Sequence, residues 1–268
     1  MRKNGCVPIG MTEMDYVAFG DGVKKLVVIP GLSDGLATVK GKAVLLAPPY
    51  KKFFRDYTVY LFSRKNKMPE GYSIEDMAED QVSVMRALGI EKACILGVSQ
   101  GGMISQEIAI RHPEAVEKLI LGVTAPYAND VVRNAILGWM DMVQKGDHVA
   151  LMLDTAEKMY SKSYLEKNRK WFPLLAKLTK PKSYDRFLKN AQAILGFDAR
   201  EELSKITCPT LILAGEDDNT VGNEAPMQLH NGIAGSRLHV YPGLGHGAYE
   251  EAGDFYDRVL EFCSSGED

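Results

Sequence analysis

The 268-residue chain predicts an α/β fold: a mostly parallel sheet, helices on both of its faces, and a helical insertion late in the strand order. Three features carry that expectation. Short runs rich in Val, Ile and Leu recur at 26–31, 57–62, 93–98, 118–123, 209–215 and 237–243. The first four are almost continuously apolar, as strands buried on both faces look. Stretches of helical periodicity separate them. From about Tyr127 to Ala199 the strand signal disappears altogether.

Each element has its own local reason. In SIEDMAEDQVSVMRALG (73–89), Ser73 followed by Asp76 resembles a capping box. Ile74, Met77, Ala78, Val82, Met85 and Leu88 mark one helical face, and Gly89 is placed to end the helix. A second helix over about 100–112 stops at Pro113, and a last one is expected over 249–263. Repeated strand–helix–strand units imply parallel strands joined by right-handed crossovers. The block without strands is interrupted by Gly146, Pro173 and KLTKPK (177–182). It is rich in Met and aromatic residues, including Met140, Met152, Met159, Tyr160 and Trp171, which read as helix-packing side chains. A helical block between two strands of one sheet reads as a cap over the sheet's carboxyl edge. The expected division is a core at 1–126 and 200–268 and a cap at 127–199.

Composition narrows the function classes. With 46% hydrophobic and 25% charged residues the chain can bury a large core. Its 32 basic and 35 acidic residues give a net charge of −3, which offers nothing to nucleic acid. Lys51, Lys52 and Arg55, interleaved with Phe53 and Phe54, read as the polar end of a surface helix. The opening MRKNGCVPIG has no apolar stretch behind it, and no run approaches the roughly 18 residues of a membrane span. Cysteines 6, 94, 208 and 263 lack CxxC or metal-type spacing, so free thiols in a cytoplasmic setting are expected, with no metal and no cofactor. The expected partner is a small-molecule substrate; oligomeric state leaves no mark on the sequence.

The chemistry gathers at three loops. ACILGVSQGG puts Ser99 directly after a buried strand and before a helix, with Gly97 and Gly101 at the positions of G-x-S-x-G. A serine on so tight a turn needs small neighbours, and its hydroxyl then stands clear of the sheet. The backbone N–H of Gln100 would face a developing oxyanion, and PGLSDG (30–35), after an earlier strand, offers that of Leu32 as a second donor. A serine hydroxyl needs a base. Of the five histidines, His112, His148, His230 and His239 fall in or at the ends of regular elements. His246 instead sits in the glycine-rich loop PGLGHGAYEE after the last strand. LILAGEDDNTV delivers Asp217 and Asp218 to the same edge as candidate orienting carboxylates, with Asp218 preferred. Trp139, Met142 and Phe172 are candidate apolar walls of a substrate pocket.

GVSQGG with IAIRHPEAVEKLIL, CPTLILAGEDDNTV and YPGLGHGAYEE together resemble the α/β-hydrolase superfamily over most of the chain. The resemblance implies about eight strands with a helical lid between strands six and seven. It also implies a triad in the order Ser99, Asp218, His246, with Leu32 and Gln100 as oxyanion donors. It extends to esterases, enol-lactone hydrolases, carbon–carbon bond hydrolases and cofactor-free haloperoxidase-like proteins. Three places depart from the common pattern: Pro30 where relatives often carry histidine, SRKNKMPEGYS (63–73) in place of a glycine-rich turn, and Asn219 in place of a frequent proline. The expected reaction is hydrolysis of a small-to-medium carboxylic ester, thioester or lactone through an acyl-enzyme. Carbon–carbon hydrolysis of a β-diketone-like substrate is the alternative on the same residues. A non-enzymatic ligand receptor is the alternative of another kind.

Overall fold

A computed structural model describes residues 2–266. Its strands are β1 (Arg2–Ile9), β2 (Thr12–Phe19), β3 (Lys24–Ile29), β4 (Tyr57–Lys65), β5 (Ala93–Val98), β6 (Val116–Gly122), β7 (Thr210–Gly215) and β8 (Arg237–Tyr241). They form one sheet in the order β1-β2-β4-β3-β5-β6-β7-β8. From β4 to β8 every pairing is parallel; β1–β2 and β2–β4 are antiparallel. The mostly parallel α/β architecture is thus the one expected. The hairpin β1–β2 carries no apolar run in its outer strand, because β1 is an edge strand with most of its side chains in water. Gly10 makes its turn at φ 55°, in the left-handed region.

The helices are α1 (Ala43–Leu46), α2 (Ile74–Ala87), α3 (Gln100–Arg111), α4 (Asp130–Gln144), α5 (His148–Met159), α6 (Lys162–Asn168), α7 (Phe172–Thr179), α8 (Asp185–Gly196), α9 (Ala225–Gly232), α10 (Ala248–Glu251) and α11 (Phe255–Ser264). The capping box of α2 forms in both directions: Asp76 N–H donates to Ser73 Oγ at 3.1 Å, and Ser73 N–H to the Asp76 carboxylate at 3.0 Å. One apolar cluster packs α2, α3 and the helices after β6 on one sheet face. A second, with Phe53, Tyr57, Phe255 and Val259, fills the other. Two details differ from expectation. Lys51 and Lys52 ride on a 3-10 turn, Pro48–Phe53, which the proline pair opens and which buries Tyr50 and Phe53 while leaving the lysines exposed. The last helix is broken at Ala252–Asp254 into α10 and α11.

Helices α4 to α8 all lie between β6 and β7. The chain leaves and re-enters the core side by side. Tyr127 and Asp198 form an antiparallel bridge, Ala128 N–H donates to Phe197 O at 3.0 Å, and Ala199 N–H to Pro126 O at 2.8 Å. Around β3 the connections run in opposite senses, to β4 on one side and β5 on the other. That reversal opens a crevice at the carboxyl ends of β3 and β5, where open α/β sheets build their sites.

Candidate active site

Ser99 sits between β5 and α3 at φ 55° and ψ −121°, a conformation a non-glycine residue holds only under constraint, at about 1–3 kcal/mol. The constraint is visible. Ser99 N–H donates to Gly122 O at 2.9 Å, and Thr124 Oγ1 donates to Ser99 O at 2.7 Å. The flanking glycines are there for space. A Cβ on Gly101 would lie 1.9 Å from Ile29 O, and one on Gly97 would lie 2.4 Å from Gly101 O. Gly31 passes so near that its own Cβ would be 3.2 Å from that of Ser99. This close approach brings the loop after β3 beside the nucleophile candidate. Leu32 opens the 3-10 turn Leu32–Gly35 and Gln100 opens α3, so the N–H of each lacks an acceptor within its own helix.

His246 lies in the loop between β8 and α10, with Nε2 2.9 Å from Ser99 Oγ and Nδ1 2.8 Å from Asp218 Oδ2. Asp218 is buried, and its Oδ1 accepts the N–H groups of Thr220 at 2.8 Å and Val221 at 3.0 Å. A carboxylate accepting at both oxygens requires Nδ1 of His246 to donate. The unprotonated Nε2 then accepts from the serine hydroxyl. Asp217 is exposed and takes no part in this chain of bonds. Gly245 and Gly247 let the histidine loop lie flat on the end of α5: a Cβ on either would come within 3.1 Å of Met159 O. Gly247 N–H donates to that oxygen at 2.7 Å. Beyond it Tyr160 Oη donates to Glu250 at 2.6 Å and Ser161 Oγ to Glu251 at 2.6 Å. Burial first, then the Glu250 charge, pushes the Tyr160 phenol up, which keeps it a donor.

Ser99 and His246 open into a cavity of about 240 Å³. Leu32, Leu36 and Val98 wall it from the core; Trp139, Leu151, Met152, Met159 and Phe187 wall it from the helices after β6. A larger cleft of about 800 Å³ touches Asp218 from behind and includes neither Ser99 nor His246. Of the three wall candidates, Trp139 lines the small cavity, its indole N–H donating to Asp154 at 2.7 Å. Met142 and Phe172 do not line it. Met142 is turned a step round α4 and packs against the apolar core, and Phe172 lies near-parallel to the Tyr160 ring with the ring centres 6.3 Å apart.

Sequence reasoning missed a buried polar cluster behind the oxyanion-donor candidates. Arg64, at the end of β4, is fully buried and donates through Nη2 to Gln100 Oε1 at 2.9 Å. The Gln100 amide in turn donates to Asn190 O, on α8, at 2.9 Å. Asp34, in the same turn as Leu32, accepts Arg64 N–H at 3.0 Å and Arg186 Nη2, also from α8, at 2.8 Å. Burial pulls the Arg64 guanidinium down to about 10, against the opposing pull of Asp34. Nothing local in the sequence announces the cluster, since Asp34 and Arg186 stand 152 positions apart.

The profile of the alpha/beta hydrolase fold family matches residues 56–253. The chain is 31% identical over 229 residues to the AB hydrolase superfamily protein YisY of Bacillus subtilis (strain 168), covering 80% of this chain and 83% of that one. It is 25% identical over 262 residues to the human serine hydrolase BPHL, covering 95% and 84%. In fold it matches the crystal structure of the enol-lactonase from Burkholderia xenovorans LB400 with a TM-score of 0.83 at 20% identity, over 97% of this chain and 100% of that one. No helix of the described residues is long and apolar enough to cross a membrane. The chain is a hydrolase, and it belongs to the α/β-hydrolase fold family.

Proposed function

We propose that the chain hydrolyses small, uncharged carboxylic esters, thioesters or lactones through an acyl-enzyme on Ser99, with His246 as base, Asp218 as its orienting acid and no cofactor. The observation that carries this reading is the unbroken line of hydrogen bonds from Asp218 through His246 to Ser99 Oγ, ending at an apolar cavity. Ser99 Oγ attacks the carbonyl carbon as His246 Nε2 takes its proton. The carbonyl oxygen gathers negative charge against the Leu32 and Gln100 N–H groups, each contributing about 3–4 kcal/mol. His246 returns the proton to the leaving oxygen or sulfur. Water, deprotonated by the same imidazole, then releases the acid. Asp218 keeps the ring in the accepting tautomer and stabilises its cation.

The helices at 127–199 act in this reading as a lid whose walls select the substrate. A cavity near 240 Å³ favours short acyl chains, and Glu250 at its margin disfavours anionic ones. The test is a series of p-nitrophenyl esters with the parent protein and Ser99→Ala. Turnover should peak at short chains, fall beyond about six carbons, and vanish in the variant. A fluorophosphonate should label the parent alone. Full turnover by Ser99→Ala would end the proposal; a ketone product beside the acid would move it to carbon–carbon bond hydrolysis.

A further inference from the structure

The near-neutral whole-chain charge conceals a sharp segregation. Between Lys162 and Lys182 lie seven basic residues and one acidic residue, Glu166, a local net charge of +6 that leaves the rest of the chain at −9. The stretch covers α6, the 3-10 turn Arg169–Trp171 and α7, and all seven basic side chains are exposed. Arg169 pairs with Glu157 at 2.8 Å; the six lysines make no ion pair among the described residues. On the same surface Trp171, Leu174 and Leu178 are 53%, 52% and 75% exposed. Their spacing of three and then four places them on one stripe of α7 and its approach. Lys170 lies over the Trp171 ring, 5.5 Å from its centre.

Neither half of this pattern is explained from within the chain. Half or more of each stripe side chain is left uncovered by the described residues, while the opposite side of α7, where Ala176 is buried, already packs on the protein. Apolar residues flanked by lysines, with a tryptophan among them, suit a boundary between hydrocarbon and anionic headgroups. There the rings and leucines sink to headgroup depth, and the lysine stems lie along them with their charges outward. A second copy of the same face fits poorly, because two surfaces of +6 repel.

We propose that the α6–α7 face docks on anionic lipid surfaces, with Trp171, Leu174 and Leu178 entering the headgroup layer and the surrounding lysines pairing with lipid phosphates. Docked this way, α5, whose Met152 and Met159 line the cavity beside Ser99, lies one helix layer from the lipid.

The protein carries its own probe. Of its two tryptophans Trp139 is buried and bonded to Asp154, so a change in emission on binding reports Trp171. Vesicles of phosphatidylcholine with a third of phosphatidylglycerol should shift the emission to the blue and sediment the protein. Pure phosphatidylcholine should bind at least about tenfold more weakly, and so should the mixed vesicles at salt high enough to screen surface charge. Reversing three charges in Lys170→Glu/Lys177→Glu/Lys180→Glu should weaken binding by roughly a hundredfold or more. Leu174→Ser/Leu178→Ser should abolish the blue shift. Both variants should hydrolyse a soluble ester as the parent does, which reports an intact fold. Equal binding to neutral vesicles, no binding to either, capture of an acidic protein without vesicle binding, or a dimer that buries Trp171 would each overturn the proposal.

Discussion

Replacing Asp218 by asparagine removes one charge and changes almost no volume, yet the surroundings make it severe. Oδ1 of Asp218 accepts two backbone N–H groups, from Thr220 and Val221. An amide nitrogen cannot take that place, so the introduced asparagine must keep its oxygen there and turn its NH2 toward His246 Nδ1. Nδ1 then becomes the acceptor, the proton moves to Nε2, and Nε2 faces Ser99 Oγ at 2.9 Å as a donor. The imidazole is held firmly in the tautomer that cannot deprotonate the serine. The same exchange in serine proteases lowers kcat about 10⁴-fold, equivalent to about 5.5 kcal/mol of barrier. We expect a loss of that order in kcat for a short-chain p-nitrophenyl ester, with KM little changed and the melting temperature within a few degrees of the parent. Asp217→Asn, at an exposed side chain, should stay within about twofold of the parent. A loss below about a hundredfold in Asp218→Asn, or a comparable loss in Asp217→Asn, would refute the tautomer argument.

Three further outcomes follow from the geometry. Arg186→Met leaves the buried Asp34 carboxylate with the Arg64 backbone N–H at 3.0 Å and the Arg64 guanidinium only at 3.9 Å, and should cost about 3 kcal/mol in urea unfolding; kcat should fall more than KM rises, because Asp34 shares its turn with Leu32. Gly101→Ala drives a methyl into Ile29 O and should destabilise by more than about 4 kcal/mol or prevent soluble expression, read by thermal melting. Glu107, buried on α3, has its carboxyl raised above the ordinary 4.5 by burial, against the pull of Arg111. The folded state therefore holds that proton more tightly than the unfolded one, and the stability it confers, full below 4.5, is lost as pH rises through the raised value. Glu107→Gln should thus melt at or above the parent at pH 7, with the difference closing below pH 4.5.

The sequence made the central strands legible because strands β3 to β7 are largely buried on both faces, which leaves them short, mostly apolar runs of aliphatic and aromatic residues. Ser99 and His246 were readable for a related reason: close backbone approaches force glycine at 97, 101, 245 and 247, and those glycines mark the loops. What stayed hidden depends on long-range partners. Strand β1 is an edge, so nothing obliges it to be apolar. Asp217 and Asp218 differ only in which way a turn points them. Met142 and Phe172 have the composition of pocket walls, but a small rotation about a helix decides which side of it a residue serves. The Arg64–Gln100–Asn190 and Asp34–Arg186 contacts join segments that share no periodicity.

The paired strands of chain at 126–128 and 197–199 have an architectural consequence. Because the exit and the return are already hydrogen-bonded neighbours, the sheet itself holds the two ends of the insertion together, and what lies between them meets the loops at a few points: Arg186 at Asp34, Asn190 at Gln100, and Met159 O at Gly247. A short turn could close that gap, and closing a small loop is entropically mild. The helices can therefore be lengthened or rebuilt between those points, provided that Arg186, Asn190 and the Met159 carbonyl keep their bonds to the loops that carry the candidate reacting groups. A graft that keeps those contacts and replaces the rest of the block between residues 126 and 199 is the direct test of whether these helices set the preference in the proposed reaction.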